Sequence, residues 1–252
     1  MSLKVLILGG TAESRVLGER LAGDARFHTV LSFAGRTRSP QLPNTPSRVG
    51  GFGGVPGLID YLQRERIQAL VDATHPFASQ MSAHAVLAAR ATDVPLLRLE
   101  RAAWQAGPGD QFIEVPHMHA AALALGQAPR RVFLSVGRLE IAAFAAAAQH
   151  SYLIRAVDAF DPRESGLSHA RVIAARGPFA LADERELLER ERIEILVRKN
   201  SGTDATYAKI LAARALQLPV IMLARPPRPA AECVDSLDQI VRWLEAQAAL
   251  DQ

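Results

Sequence analysis

The sequence predicts an α/β fold of two similar domains, each a parallel sheet with helices on both faces, related by an internal repeat, with an active-site cleft between them. Three observations carry this expectation. First, Arg64-Glu65-Arg66-Ile67 recurs as Arg190-Glu191-Arg192-Ile193 and Leu70-Val71 as Leu196-Val197, all 126 positions apart in a chain of 252. Leu87-Ala88-Ala89-Arg90-Ala91 with Pro95 then matches Leu211-Ala212-Ala213-Arg214-Ala215 with Pro219, 124 apart. A repeat this long is a domain, not a solenoid unit. Second, short apolar runs alternate with helix-period segments throughout, the pattern of parallel strands joined by crossover helices. Third, Val5-Leu6-Ile7-Leu8-Gly9-Gly10 lies over Val132-Phe133-Leu134-Ser135-Val136-Gly137, each an apolar run ending in glycine before a helical pattern. The domains therefore read as Rossmann-like, spanning 1–127 and 128–252, and clefts between such domains are a favoured place for ligands.

Taken in order, the first half gives strands near 4–8, 27–32, 68–72, 94–99 and 112–115, with helices near 13–22, 55–65, 78–91 and 117–125. A further short strand can precede the glycines at 50–54. The second half gives strands near 131–136, 152–157, 171–175, 193–198 and 219–223, with helices near 139–149, 180–191, 203–216 and 236–249. Gly126, Pro129 and their polar neighbours break the pattern and place the join at 126–130.

Bulk composition narrows the class. A hydrophobic content of 49% with 22% charged residues is that of a globular chain. With no apolar run of about 18 residues and no leader-like segment after Met1, a cytoplasmic protein without membrane contact is expected. Cys233 is the sole cysteine, which excludes an internal disulfide and a cysteine-based zinc site; it reads as a half-buried thiol. Net charge is only +3 and the basic residues are scattered, so nucleic-acid binding is not expected. Lys4, Lys199 and Lys209 are the only lysines, and two of them fall in one short segment.

The first strand runs into Gly9-Gly10-Thr11-Ala12-Glu13-Ser14 at the start of a helix. Glycines there let a backbone approach a diphosphate, and the helix N-terminus attracts its charge. A tight turn capped by Thr11 explains the same residues equally well. The second strand ends before Arg36-Thr37-Arg38-Ser39, with no acid where domains that bind NAD place one on the ribose. Arginine serves there when a 2′-phosphate must be held, which favours NADPH. Gly50-Gly51-Phe52-Gly53-Gly54 suggests a further close approach of backbone to ligand.

Asp72-Ala73-Thr74-His75-Pro76-Phe77-Ala78 follows another strand, at the carboxyl edge where ligands sit in open α/β sheets. Thr74 is a cofactor candidate, and His75 is a candidate general acid that could equally be a structural histidine. In the repeat this loop matches Arg198-Lys199-Asn200-Ser201-Gly202-Thr203, whose cation, amide and hydroxyls suit an anion, although the spacing is not that of a P-loop. Arg176-Gly177-Pro178-Phe179 follows a neighbouring strand. His117 and His119 have no third ligand in a comparable loop, so they read as the polar start of a helix and no metal is expected.

Together these pieces resemble the precorrin-6A reductase family of cobalamin biosynthesis over nearly the whole chain. The resemblance rests on Ile7-Leu8-Gly9-Gly10-Thr11-Ala12-Glu13, Asp72-Ala73-Thr74-His75-Pro76-Phe77-Ala78, Ala175-Arg176-Gly177-Pro178-Phe179, Lys199-Asn200-Ser201-Gly202 with Thr206 and Lys209, and Arg225-Pro226. One departure is Thr203, where a second glycine is expected. The resemblance implies a reductase that uses a nicotinamide cofactor without flavin or metal. It would transfer hydride to a ring D double bond of a metal-free tetrapyrrole and add a proton at the adjacent carbon, giving precorrin-6B. On this reading Gly9, Gly10, Thr11, Ala12, Glu13, Arg36, Thr37, Arg38, Ser39, Gly51 and Thr74 meet NADPH. Arg176, Lys199, Asn200, Ser201, Gly202 and Thr203 meet the substrate, and Lys199 and His75 are the catalytic candidates. A monomer is expected. The alternatives are a cobalt-precorrin-6A reductase of the anaerobic pathway and a non-catalytic nucleotide- or tetrapyrrole-binding module.

Overall fold

A computed structural model describes residues 2–35 and 44–250. Its elements run β1 (Leu3–Leu8), α1 (Ala12–Ala22), β2 (Phe27–Phe33), β3 (Ser47–Val49), α2 (Gly54–Arg64), β4 (Ala69–Asp72), α3 (Ser79–Thr92) and β5 (Leu96–Leu99). There follow β6 (Phe112–Val115), α4 (Met118–Ala124), β7 (Arg131–Ser135), a 3-10 stretch Arg138–Ala147, β8 (Ser151–Ala156), a 3-10 turn Pro162–Ser165, β9 (Ala170–Ala174), α5 (Leu181–Arg190) and β10 (Ile195–Lys199). A 3-10 turn Asp204–Thr206, α6 (Ala208–Ala215), β11 (Val220–Leu223), β12 (Glu232–Val234) and α7 (Leu237–Leu250) complete the chain. No helix among the described residues is long and apolar enough to cross a membrane.

The strands form two parallel six-stranded sheets, ordered β12-β5-β4-β1-β2-β3 and β6-β11-β10-β7-β8-β9. Both follow the doubly wound order in which the chain reverses direction beside the first strand. The α/β class and the duplicated parallel sheets expected from the sequence are thus present.

The division between units differs from the expected one at residue 127. One unit comprises Met1–Ala102 with Pro226–Gln252, the other Ala103–Arg225. Each sheet takes its sixth strand from the other half of the sequence: β6 pairs with β11, and β12 pairs with β5. The physical reason is that an edge strand of three or four residues carries little information about its neighbour. The two strands hold corresponding edge places in the two sheets, and the strand at 232–234 was not expected from the sequence. The breaks near Gly126 and Pro129 are therefore an ordinary loop between α4 and β7.

In the first unit α1 and α7 cover one sheet face, where Leu17, Leu21, Ile240 and Leu244 pack on Val5, Ile7, Leu31 and Val71. On the other face α2 and α3 place Leu58, Leu62, Ala85 and Ala88 on Leu6, Leu8 and Leu70. Burying each of these leucines contributes about 1.5–3 kcal/mol. In the second unit α5 and α6 cover one face with Leu187, Leu188, Ile210 and Ala213 on Phe133, Leu196 and Met222. Central strands β1, β4 and β11 are apolar on both faces, as a doubly covered parallel sheet requires.

The four-residue repeat has a local cause. After α2, Arg66 takes a left-handed conformation (φ 56°), its N–H donates to the Gln63 carbonyl, and the N–H of Ile67 donates to Leu62. After α5, Arg192 (φ 51°) and Ile193 repeat both bonds to Glu189 and Leu188. This is a Schellman cap, in which a left-handed residue satisfies the last carbonyls and an apolar residue closes onto the helix. Asp93 and Gln217, also equivalent in the repeat, end α3 and α6 with left-handed backbones of φ 53°.

Two expected helices are altered. Residues 139–149 form a 3-10 stretch ending at Ala147, and 203–216 divides into a 3-10 turn followed by α6. Cys233, expected to be half-buried, is exposed on β12.

Candidate functional site

The carboxyl edge of the first sheet gathers three loops. At the β1–α1 junction, Gly9 and Gly10 are glycines for different reasons. A Cβ on Gly9 would lie 2.7 Å from Leu31 Cδ1 and 3.0 Å from Ser14 Oγ, so its absence lets the strand and helix pack. Gly10 has φ +116° and nothing within 4 Å of where a Cβ would stand, which leaves exposed backbone bordering open space. Thr11 caps α1: its Oγ1 accepts from Ser14 N at 3.1 Å and donates to the Ala73 carbonyl at 3.0 Å. Ser14 Oγ accepts from the Gly10 and Thr11 amides, each at 3.2 Å, and donates to Thr11 O. The capped turn read from the sequence is present, and it sets the N-terminus of α1 beside Gly10. Ala12 is exposed, and Glu13 pairs with Arg101 at 2.8 Å.

The Thr11–Ala73 bond joins this loop to the one after β4. There Asp72, fully buried, accepts from the Thr74 hydroxyl at 2.6 Å and the Thr74 amide at 3.2 Å through one oxygen. Its other oxygen accepts from Ser82 Oγ at 2.6 Å and Arg98 Nε at 3.1 Å. Arg98 continues to the Pro229 carbonyl, while Arg228 reaches Ser82 and pairs with Glu100. The hydroxyl of Thr74, a predicted cofactor residue, is therefore taken up in orienting its own loop. His75 is half-exposed, and its Nδ1 accepts from Phe77 N at 3.2 Å, so in the neutral ring the proton resides on Nε2.

The third loop follows β3. Arg48 donates from Nη1 to Ser32 Oγ (2.8 Å) and Gly50 O (3.0 Å), and from Nη2 to Gly51 O (3.0 Å). Gly51 thus lies beside the ends of β2 and β3. Arg36, Thr37, Arg38 and Ser39 lie outside the described residues.

The carboxyl edge of the second sheet carries the loop after β10. Lys199, at the end of β10, pairs with Glu140, whose other oxygen accepts from the Gly137 amide at 2.6 Å. Asn200 is buried, and its side chain makes a two-point bond to the Trp104 backbone, accepting from N at 2.8 Å and donating to O at 2.9 Å. Ser201 Oγ accepts from Arg198 at 3.3 Å. Gly202 turns the loop with φ +68°, and Thr203 precedes the 3-10 turn without capping it through its side chain. Arg176 is half-buried on the segment after β9.

Behind this loop lie buried cations, of which the sequence motifs included Arg198 and Lys209 but not Arg155. Arg198, 4% exposed, stacks 4.0 Å above Trp104 and bonds the carbonyl and hydroxyl of Thr206. Lys209, 2% exposed, donates to Ser135 Oγ at 2.7 Å and lies 5.5 Å from the Phe179 ring. Burial pushes the Lys209 ammonium down to about 7, neighbouring Arg198 and Arg155 act in the same direction, and Glu184 opposes them. Burial likewise lowers the Arg198 guanidinium. Arg155 pairs with Glu184 and lies over Phe179 at 4.1 Å. Three buried cations thus share one buried carboxylate. Sequence reading placed Lys209 in a motif, but the strand pattern gave no sign that Arg155 and Glu184 are buried together. His117, read as a helix start, caps α4 by accepting from Ala120 N at 3.1 Å.

A family model described as precorrin-6x reductase CbiJ/CobK matches residues 4–245. The precorrin-6A reductase of Rhodobacter capsulatus is 48% identical over 248 residues, covering 98% of this chain and 97% of that protein. The precorrin-6A reductase of Rhodococcus erythropolis is 43% identical over 242 residues, covering 96% and 97%. The cobalt-precorrin-6A reductase of Priestia megaterium is 26% identical over 253 residues, covering 96% and 98%. A solved structure of CobK precorrin-6A reductase matches with a TM-score of 0.92 at 46% identity, covering 97% of each chain.

Proposed function

The chain belongs to the precorrin-6x reductase family, and on that premise we propose that it reduces precorrin-6A to precorrin-6B with NADPH, as a monomer. The observation that carries this reading is the open backbone at Gly10. A glycine with φ +116° and open space at its Cβ position, at the N-terminus of a capped helix, suits the diphosphate of a dinucleotide. When bound, the nicotinamide would supply a hydride to one carbon of a ring D double bond while the adjacent carbon gains a proton, so that two hydrogens are added, the π bond is lost and the ring skeleton is unchanged.

The protein's part is binding, orientation and proton delivery. In the first unit Gly9, Gly10, Thr11, Ala12 and Glu13 form the diphosphate loop, Thr74 is held by Asp72 at its border, and Gly51 approaches the ribose. Arg36, Thr37, Arg38 and Ser39 supply cationic and hydroxyl groups for the 2′-phosphate. In the second unit the backbone of Asn200, Ser201 and Gly202, with Arg176, Lys199 and Thr203, receives the carboxylates of the tetrapyrrole. Arg198 and Lys209 make the field behind them positive. The candidates for delivering the proton are His75 in its protonated form, the ammonium of Lys199 and bound water.

A metal-free substrate is favoured by degree of likeness. Relatives named precorrin-6A reductase are 43–48% identical, whereas those named for the cobalt form are 24–28% identical. The test is anaerobic incubation with precorrin-6A, following NADPH oxidation and product mass together, with cobalt-precorrin-6A in parallel. Oxidation of one NADPH per two hydrogens gained is the expected result. Binding without turnover would assign a carrier, and selective turnover of the cobalt substrate would assign the anaerobic reaction.

A further inference from the structure

Arg48 sits at the middle of β3, beside Ser32 of β2 in the parallel register. Its guanidinium lies 3.9 Å from the Phe52 ring centroid and 5.3 Å from that of Tyr61. The bonds to Ser32, Gly50 and Gly51 fix its plane, and every acceptor among them is uncharged. Arg48 is only half-buried, yet the charges acting on it among the described residues are Tyr61 and Arg64, with no carboxylate. Among the described residues it is therefore an immobilised cation with no carboxylate acting on it.

Its place matters as much as its charge. In domains that bind dinucleotides, the residue at the end of the second strand meets the adenosine ribose, and an acid there selects the unphosphorylated cofactor. Here β2 ends in Ser32-Phe33 with no acid, and Ser32 is buried and accepts from Arg48. A guanidinium has five N–H donors, of which the described bonds use two from Nη1 and one from Nη2, leaving one on Nη2 and that on Nε. A planar cation with two unused donors suits a phosphate, and its stacking on Phe52 has removed most of the entropy loss of ordering it.

We propose that Arg48, set by Ser32 and stacked on Phe52, binds the 2′-phosphate of the cofactor and makes the enzyme select NADPH over NADH. This rests on the reading of the first unit as the dinucleotide domain, and it assigns selectivity to a fixed residue at the strand ends rather than to the 36–39 loop alone.

The experiment is direct titration of the full-length protein, wild type, Arg48→Met, Arg48→Lys and Arg36→Ala, with NADPH and NADH, and with 2′,5′-ADP and 5′-ADP as fragments. Arg48→Met keeps the apolar stem against Phe52. It should raise the Kd for NADPH and 2′,5′-ADP by about 10- to 150-fold, the range of a charge-assisted hydrogen bond, and leave NADH and 5′-ADP within about twofold. Arg48→Lys should retain part of the preference, and it decides the matter if the methionine variant misfolds. Equal losses for both cofactors would make Arg48 a clamp on the glycine loop and overturn the proposal. So would selective loss in Arg36→Ala with none in the Arg48 variants. A wild type that binds neither dinucleotide, or binds both equally, would instead fail the underlying NADPH reading before any variant is compared.

Discussion

Asp72 and Arg198 occupy equivalent positions in the two sheets with opposite charge. Asp72 stands beside Leu8 at the end of β1, and Arg198 beside Ser135 at the end of β7. Each bonds a hydroxyl on or just before the following helix, Ser82 for Asp72 and Thr206 for Arg198, and these hydroxyls are themselves equivalent in the repeat. One duplicated scaffold thus fixes a buried anion behind one loop and a buried cation behind the other. The first is neutralised by Arg98, while the second adds to Lys209 and Arg155.

Removing the anion should unfold the first unit more readily. Asp72→Ala leaves Arg98 buried and unpaired, and breaking a buried ion pair in this way costs about 3–5 kcal/mol. Urea unfolding checks it. A loss below about 1 kcal/mol would mean that Arg98 finds other partners and that the pair orients Thr74 without stabilising the fold.

The two glycines of the first loop should separate by phenotype. Gly9→Ala meets Leu31 and Ser14, and overpacking of this kind costs about 1–3 kcal/mol, read as a lower Tm. Gly10→Val meets no protein atom within 4 Å of its Cβ, so it should abolish NADPH binding while circular dichroism shows a folded chain with the modest loss expected of a non-glycine residue at positive φ. Normal NADPH binding by Gly10→Val would reduce the loop to a turn.

Lys199→Ala should act on the substrate side. With the loop held by Asn200 and Trp104, loss of the cation should lower kcat/KM for precorrin-6A by about 2–4 kcal/mol in transition-state terms and leave NADPH affinity unchanged. Glu140→Gln, which removes the pairing carboxylate but keeps the bond to Gly137, should move substrate KM more than kcat. Steady-state kinetics and a cofactor titration on each variant decide; a selective loss of NADPH binding would transfer this loop to the cofactor.

Lys209 predicts a stability that depends on pH. Its folded pKa, about 7, lies below its ordinary 10.5. Between these values the unfolded chain binds more protons than the folded one, so this residue's contribution makes stability rise with pH across that window and levels off below pH 7. Lys209→Met should lack that rise, and the difference in unfolding free energy between wild type and variant should change by a few kcal/mol from pH 7 to pH 10. Parallel pH profiles would show that Lys209 is not titrating there.

The repeat, the parallel strands and the loops at their ends were legible because each has a local signature: apolar runs buried on both faces, Schellman caps at Arg66 and Arg192, glycines at the β1–α1 junction. The motif at Lys199 was legible as chemistry but not as geometry, since nothing in the sequence tells that Asn200 would turn inward to Trp104. Arg48 was missed because β3 is three residues long and polar, and its partner Ser32 lies 16 positions away. β12, only three residues long, was not read as a strand, and the destination of β6 was illegible because edge pairing depends on which partner strand the chain reaches.

That exchange of sixth strands gives the molecule an order of manufacture. As the chain emerges from the ribosome, Ala103–Arg225 is self-sufficient once β11 is out, with every strand of its sheet in hand. The N-terminal unit, although synthesised first, must wait with one edge of β5 bare and one face awaiting Ile240 and Leu244 until the final segment arrives. Closing a contact between Leu97 and Glu232 over so long an intervening sequence is entropically slow. The Gly9–Gly10 loop therefore belongs to the unit that is begun earliest and finished last, so a chain cut short near its C-terminus is expected to lose the first unit while retaining the other.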